Sequence, residues 1–167
     1  KILRSIKSKS QQEYVKKRFS DASLYSMKDI VNKYDLSIKE VDEQINRFVN
    51  FLKEKNLWED IILVFLADHG ISLGEHNIYF SGAGLYDETI HVPLIMKLPG
   101  IKPTTVNELV QNIDIIPTIL DYLKEDKVKK IDGLSMMPLI EKNKAIREKI
   151  LASDSLSSAL VASSSIN

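Results

Sequence analysis

Residues 60–70 read DIILVFLADHG. Seven apolar residues run from Ile61 to Ala67 without alternation, and the run stops at Asp68, His69 and Gly70. A strand with one wet face alternates apolar and polar residues. An unbroken run points instead to a strand covered on both faces, as in a parallel sheet flanked by helices. In open α/β sheets, ligands bind beyond the carboxyl ends of the strands. Asp68 and His69 fall at such an end, and the question is whether they form a site or a turn.

The flanks support the α/β pattern. Residues 37–56, SIKEVDEQINRFVNFLKEKN, place Ile38, Val41, Ile45, Phe48, Val49 and Leu52 at three- and four-residue steps, which predicts an amphipathic helix. Ser37 and Glu40 have the spacing of a capping box, and Asn56 suits the C-terminal stop. Downstream, VPLIMKL (92–98) ends at Pro99-Gly100 and reads as a second strand. Residues 114–124, DIIPTILDYLK, read as a helix capped by Asp114, with Pro117 in its first turn. DGLSMMPLIEK (132–142) reads as a turn and a short helix, and KILAS (149–153) as a last strand. Helices and strands that alternate in this way predict an α/β sandwich.

Composition excludes several classes. The 167 residues are enough for one core, and 44% hydrophobic with 28% charged content is ordinary for a globular protein. Lys+Arg and Asp+Glu both number 23, so no net charge points to nucleic acid or an anionic membrane. With no cysteine there is no disulfide, thiolate ligand or thiol nucleophile in this chain. No apolar run reaches the ~18 residues of a membrane helix. The start, KILRSIKSKSQQ, has no h-region of a signal peptide, which favours the cytoplasm, and no initiator Met, so the chain is expected to begin inside a longer one. Residues 1–18 carry seven basic side chains against Glu13 and read as a solvated helix, with an anion-binding arm as the alternative. A Ser-rich tail, residues 154–167, is open between a strand with a turn and a loose end.

A carboxylate at a strand tip suits a hard cation, and a neighbouring imidazole widens the choice toward zinc or manganese. Gly70 would let the backbone turn sharply. Asp87 and Glu88 read as first-turn acids of a short helix rather than a general acid–base pair. His91 reads as a surface or interfacial residue. Trp58 reads as a packing anchor, and Asp35 and Asp42 as solvated.

From Tyr34 to residue 141 five blocks occur in order. They are YDLSIKEVDEQINRFVNFLKEKNLWEDIILVFLADHG, LGEHNIYF, GLYDETIHVPLIMKLPG, LVQNIDIIPTILDYL and DGLSMMPLI. Their order and spacing resemble the C-terminal part of the catalytic domain of the sulfatases, in the alkaline phosphatase superfamily. The resemblance implies an α/β, alkaline-phosphatase-like three-layer sandwich with a mostly parallel sheet, of which this chain is the C-terminal portion. It divides the chain into a basic helical lead-in (1–33), the sulfatase-like part (34–153) and the tail (154–167). It implies metal-dependent hydrolysis of a small-molecule or glycan sulfate ester, with a phosphate or phosphonate ester as an alternative. It assigns Asp68 and His69 to a divalent ion, Ca2+ first, with Mn2+ or Zn2+ open.

Two departures accompany the resemblance. The Cys/Ser-x-Pro-x-Arg nucleophile motif and the paired Asp ligands of the family have no counterpart here, so the isolated chain is expected to be inactive. With its domain incomplete, it is also expected to self-associate or to need the missing half. In relatives, Lys-His or His-His contacts the sulfate just before the LYD or LYE segment, where this chain has Gly82 and Ala83. One such group is commonly worth ~2.7–4 kcal/mol of barrier. That loss keeps open a non-catalytic remnant used for binding or assembly. His76 is the candidate to replace the lost donor, against the simpler role of holding its loop.

Overall fold

The computed structural model describes residues 2–18, 25–125, 131–153 and 158–163. They form two compact units, Lys1–Ile101 and Lys102–Asn167.

The first unit opens with helices α1 (Ile2–Ser5) and α2 (Lys9–Arg18), followed by the long α3 (Met27–Glu54). Its core joins Ile6, Val15 and Ile30 to Tyr79 and Phe80, with Leu3, Tyr25, Met27 and Leu73 packed against them. The basic segment is therefore more than a solvated end. Val15 of α2 is fully buried, and Tyr14 Oη donates to the Phe80 carbonyl at 3.2 Å. Lys16, Lys17 and Arg18 occupy the last turn of α2, where cations favour the helix dipole.

Helix α3 begins ten residues before the expected Ser37. Ser26 is its N-cap: the Asp29 amide donates to Ser26 Oγ at 3.3 Å and the Ser26 amide to Asp29 Oδ2 at 2.7 Å. Ser37 lies inside the helix and donates its hydroxyl to the Lys33 carbonyl. The three- and four-residue apolar steps extend back from Ile38 through Tyr34, Val31, Ile30 and Met27, all within the helix. Asn56 adopts a left-handed φ of 55° just past the helix end, as a stop residue does.

After α3 come β1 (Leu63–Leu66), β2 (Ser72–Leu73), β3 (Tyr79–Ser81), α4 (Asp87–Ile90) and β4 (Leu94–Lys97). Strand β1 pairs antiparallel with β4, Leu63 opposite Lys97 and Leu66 opposite Leu94, and β2 pairs antiparallel with β3. Every strand pairing among the described residues is antiparallel. An apolar run reports burial, not the direction of the neighbouring strand. Burial itself is incomplete, because Phe65 and Leu66 at the tip of β1 are exposed.

The second unit contains α5 (Ile115–Tyr122), α6 (Met137–Lys142), β5 (Lys149–Ser153) and β6 (Ser158–Ser163). Pro117 stands in the first turn of α5, and Pro138 at the start of α6, where a missing N–H costs least. Strands β5 and β6 form an antiparallel pair, so part of the Ser-rich tail is a strand. The rest of that tail, 154–157 and 164–167, lies outside the described residues. No helix among the described residues is long and apolar enough to cross a membrane.

Asp114 stands at the N-cap position of α5, as expected, but its side chain makes no cap bond and organises this unit in another way. Its backbone is right-handed helical and its carboxylate makes no bond to that helix. One oxygen accepts from the Gln111 amide at 2.8 Å. The other accepts from the Leu134 amide at 2.8 Å and from the Arg147 guanidinium. Its carbonyl accepts from Thr118 Oγ1 at 2.6 Å, and that same oxygen takes the Met136 amide at 2.9 Å. Arg147 also reaches Gln111 Oε1 at 2.5 Å. Asp114 and Thr118 are fully buried.

Candidate functional site

The segment that leaves β1 is built around two close approaches. The Asp68 side chain is 91% exposed and its Oδ1 accepts the His69 amide at 2.9 Å. Its Oδ2 lies 3.9 Å from His69 Nε2. His69 Nδ1 is 2.8 Å from the Gly70 carbonyl. A carbonyl only accepts, so Nδ1 is the donor, and in the neutral ring Nε2 holds the lone pair. Asp68 and His69 thus offer two carboxylate oxygens and one imidazole nitrogen to solvent at the end of a strand.

Gly70 is required for a different reason from the one expected. Its φ is not among the positive values found at Gly74, Gly84 and Gly100. A Cβ on Gly70 would stand 2.0 Å from the Glu88 carbonyl oxygen. The Gly70 amide donates to the Thr89 carbonyl at 2.9 Å. Bare backbone lets the turn lie directly on α4.

Glu88, assigned from sequence to a first helical turn, does occupy that turn and does more. Its Oε1 accepts from Ser72 Oγ at 3.2 Å and lies 3.3 Å from His76 Nε2. The His76 ring stacks on Tyr86 with centroids 3.7 Å apart and planes 7° apart. His76 holds a left-handed φ of 52° in the 3-10 turn Glu75–Asn77. Its ring is engaged on two sides by residues at the start of α4. The spacing in sequence hid this, because Ser72, His76, Tyr86 and Glu88 meet only after β2 and β3 fold back.

Gly82 and Ala83 follow β3. The structure sets Gly82 against His69: a Cβ there would lie 2.5 Å from Nδ1 and 2.7 Å from Cε1. Ala83 is exposed, and its amide donates to Ser81 Oγ at 3.2 Å. His91 is exposed. Trp58 is partly buried, with the ammonium groups of Lys53 and Lys97 5.3 Å and 5.0 Å from its ring centre. Asp35 and Asp42 lie exposed on α3. Among the described residues no three of His, Cys, Asp and Glu gather as a metal-binding group.

By its likeness to solved structures the chain is an alkaline-phosphatase-like α/β protein. A family model for sulfatases matches residues 7–125, and the chain belongs to the sulfatase family. It is 32% identical over 133 residues to an N-acetylglucosamine-6-O-sulfatase of Bacteroides thetaiotaomicron, covering 77% of this chain and 24% of that protein. Among solved structures it resembles a phosphonate monoester hydrolase from Silicibacter pomeroyi, at a TM-score of 0.63 and 32% identity. That match covers 71% of this chain and 25% of the other. It equally resembles, at a TM-score of 0.63 and 27% identity, a protein solved in complex with its substrate D-glucosamine-2-N,6-O-disulfate, covering 72% of this chain and 26% of the other. The chain spans between about a tenth and a quarter of the length of the relatives it matches.

Proposed function

We propose that this chain is the C-terminal part of the catalytic domain of a metal-dependent sulfatase-type hydrolase, and that Asp68 and His69 are its half of the metal site. The observation that carries this reading is the free coordination capacity at the tip of β1. Asp68 is open to solvent, and the bond of His69 Nδ1 to the Gly70 carbonyl leaves Nε2 as the nitrogen that can face an ion. A ligating imidazole is generally held in this way, by a hydrogen bond from its other nitrogen. Two residues are half a coordination sphere at most, so the remaining ligands and the nucleophile would come from sequence outside this chain. The donor set of one carboxylate and one imidazole suits Ca2+ less specifically than Mn2+ or Zn2+, and Ca2+ is the ion expected first from the family resemblance. When bound, the ion supplies Lewis-acid stabilisation of the ester oxygens. The chain's own part is to hold that ion and, through Gly70 on α4, to fix where it sits.

The names of the relatives favour a sulfated sugar as substrate, since one acts on N-acetylglucosamine 6-O-sulfate and another was solved with a sulfated glucosamine. The phosphonate hydrolase resemblance supports a second reading, a phosphonate or phosphate ester. Gly82 and Ala83 support a third, a remnant without turnover. Calcium and manganese titration of the full-length protein, with turnover of aryl sulfate and aryl phosphonate, separates them. Asp68→Ala is expected to abolish ion binding and hydrolysis together. Turnover by the 167-residue chain alone, lost in Asp68→Ala, would overturn the half-site.

The same reading gives a role to exposed apolar surface. Leu36, Ile38, Val41, Phe48 and Phe51 of α3 are all about half exposed or more, as is Ile95 of β4. Surfaces of this kind rarely face water in a finished domain. We infer that the rest of the catalytic domain covers them, and that the isolated chain self-associates. A monodisperse monomer in light scattering would count against that inference.

A further inference from the structure

We propose that His76 is a positioning residue: its imidazole clips the β2–β3 hairpin onto the start of α4 and so fixes the loop of residues 81–84 beside His69. The proposal rests on the reading of Asp68 and His69 as half of a metal site. The hairpin is a strained segment. Gly74, His76, Asn77, Phe80 and Gly84 all have positive φ, five of the eleven residues from 74 to 84. Three of them are not glycine, and a left-handed backbone costs such residues conformational free energy. Strain of this kind persists only where surrounding contacts over-determine it, and it gathers at functional sites. Phe80 is held from one side: its ring is buried in the core and its carbonyl takes the Tyr14 hydroxyl. His76 is held from the other.

Both of these ring contacts lie at the start of α4. The His76 ring stacks on Tyr86 at 3.7 Å, and its Nε2 stands 3.3 Å from Glu88 Oε1. Glu88 is itself fixed, because its side chain is only 25% exposed and the same oxygen accepts from the buried Ser72 hydroxyl. The loop ends at Gly84, whose carbonyl accepts from Thr89 Oγ1 at 2.8 Å. Thr89 is buried, and its own carbonyl accepts the Gly70 amide. The turn that carries Asp68 and His69 and the loop beside it therefore share α4 as a common base. The Gly82 backbone lies against the His69 ring, so a group held at Asp68 and His69 meets this loop on one side. Without the His76 ring, the strained hairpin can relax away from α4. The turn after β1 stays, because Gly70 packs on α4 through its own backbone. Fewer molecules then hold the loop in place, and apparent affinity for substrate falls by that fraction while the bound form reacts as before. A proton donor would behave in the opposite way, since its loss lowers kcat.

The experiment is a double-mutant cycle on the full-length protein, read by turnover of aryl sulfate and aryl phosphonate, calcium titration and amide hydrogen exchange. His76→Asn removes the ring and keeps a residue that tolerates the left-handed backbone. It is expected to raise KM roughly three- to tenfold, the worth of one stacked ring pair, with kcat within about twofold and calcium affinity unchanged. Glu88→Gln is expected to raise KM less. The double variant should be no worse than His76→Asn alone, because both changes remove one contact. Hydrogen exchange across residues 78–84 should quicken in both single variants. A fall in kcat at constant KM makes His76 a catalytic donor and overturns the proposal. So do additive losses in the double variant, or unchanged KM with unchanged exchange. If the parent neither turns over an ester nor binds calcium, the half-site fails instead. Exchange across 78–84 then decides the clip alone, faster exchange upholding it and unchanged exchange overturning it. If His76→Asn does not fold, KM and exchange of Glu88→Gln decide in the same way.

Discussion

Asp68 and Asp114 are each an aspartate where an apolar stretch meets the next element, yet they use their oxygens in opposite ways. Asp114 is fully buried, and both carboxylate oxygens are occupied by two backbone amides and the Arg147 guanidinium. Asp68 is almost wholly exposed, and among the described residues its oxygens meet only the amide and the ring of the next residue. A buried carboxylate survives only when charge and hydrogen bonds are both satisfied. Once satisfied, it has nothing left for a ligand. The comparison separates an acid that holds the fold together from one that is available for chemistry, and substitutions can break it.

The largest effect is expected at Asp114. Asp114→Ala would strand Arg147, whose side chain is only 11% exposed and whose Nε is already buried without a hydrogen-bond partner among the described residues. Removing one member of a buried pair typically costs about 3–5 kcal/mol. Two amides, of Gln111 and Leu134, lose their acceptor as well. Chemical denaturation of the full-length protein should show a loss of that size. A loss under about 1 kcal/mol would mean that the cluster is not a keystone.

Gly70→Ala comes next. The atom a methyl group would meet is the Glu88 backbone carbonyl at 2.0 Å, which is tied to a helix and cannot swing aside. Overpacking of this kind costs about 1–3 kcal/mol, and the midpoint of thermal unfolding should fall accordingly. The contrast with Gly82 sharpens the point. There the obstacle is the end of an exposed side chain that can swing aside, so Gly82→Ala should cost the fold less.

The two aspartates also show what could be read in the sequence. The seven apolar residues before Asp68 announced a strand, and the strand, the turn after it and the family were legible from that stretch and its flanking blocks. The role of Asp114 was not, because its partners Leu134 and Arg147 lie 20 and 33 residues away. Local spacing sees a cap; it cannot see a guanidinium brought in by a later segment. The start of α3 was missed for a related reason. Met27, Ile30, Val31 and Tyr34 continue the apolar steps, but Ser37 and Glu40 imitate a capping box inside the helix, while the cap itself, Ser26 with Asp29, lies eleven residues earlier. Gly82 was legible as a missing side chain but not as a neighbour of His69, since only the folded chain sets the end of β3 beside the turn after β1.

The smallest effect on stability is expected where the proposed effect on function is greatest. Asp68→Ala removes an acceptor from the His69 amide, but that amide is exposed and water can take the place of the carboxylate. The Asp68–His69 contact at 3.9 Å is an exposed one, of the kind that contributes little. Stability in the absence of added metal should therefore stay within about 0.5 kcal/mol of the parent. Added calcium or manganese should then separate the two proteins. An ion that binds only the folded form raises stability in proportion to the logarithm of its excess over Kd, so the parent gains and the variant does not. If Asp68→Ala were costly without metal, the exposed aspartate would be holding structure as Asp114 does, and the division between the two would fail. If both proteins gained equally from the ion, binding would reside elsewhere and Asp68 would lose its assignment.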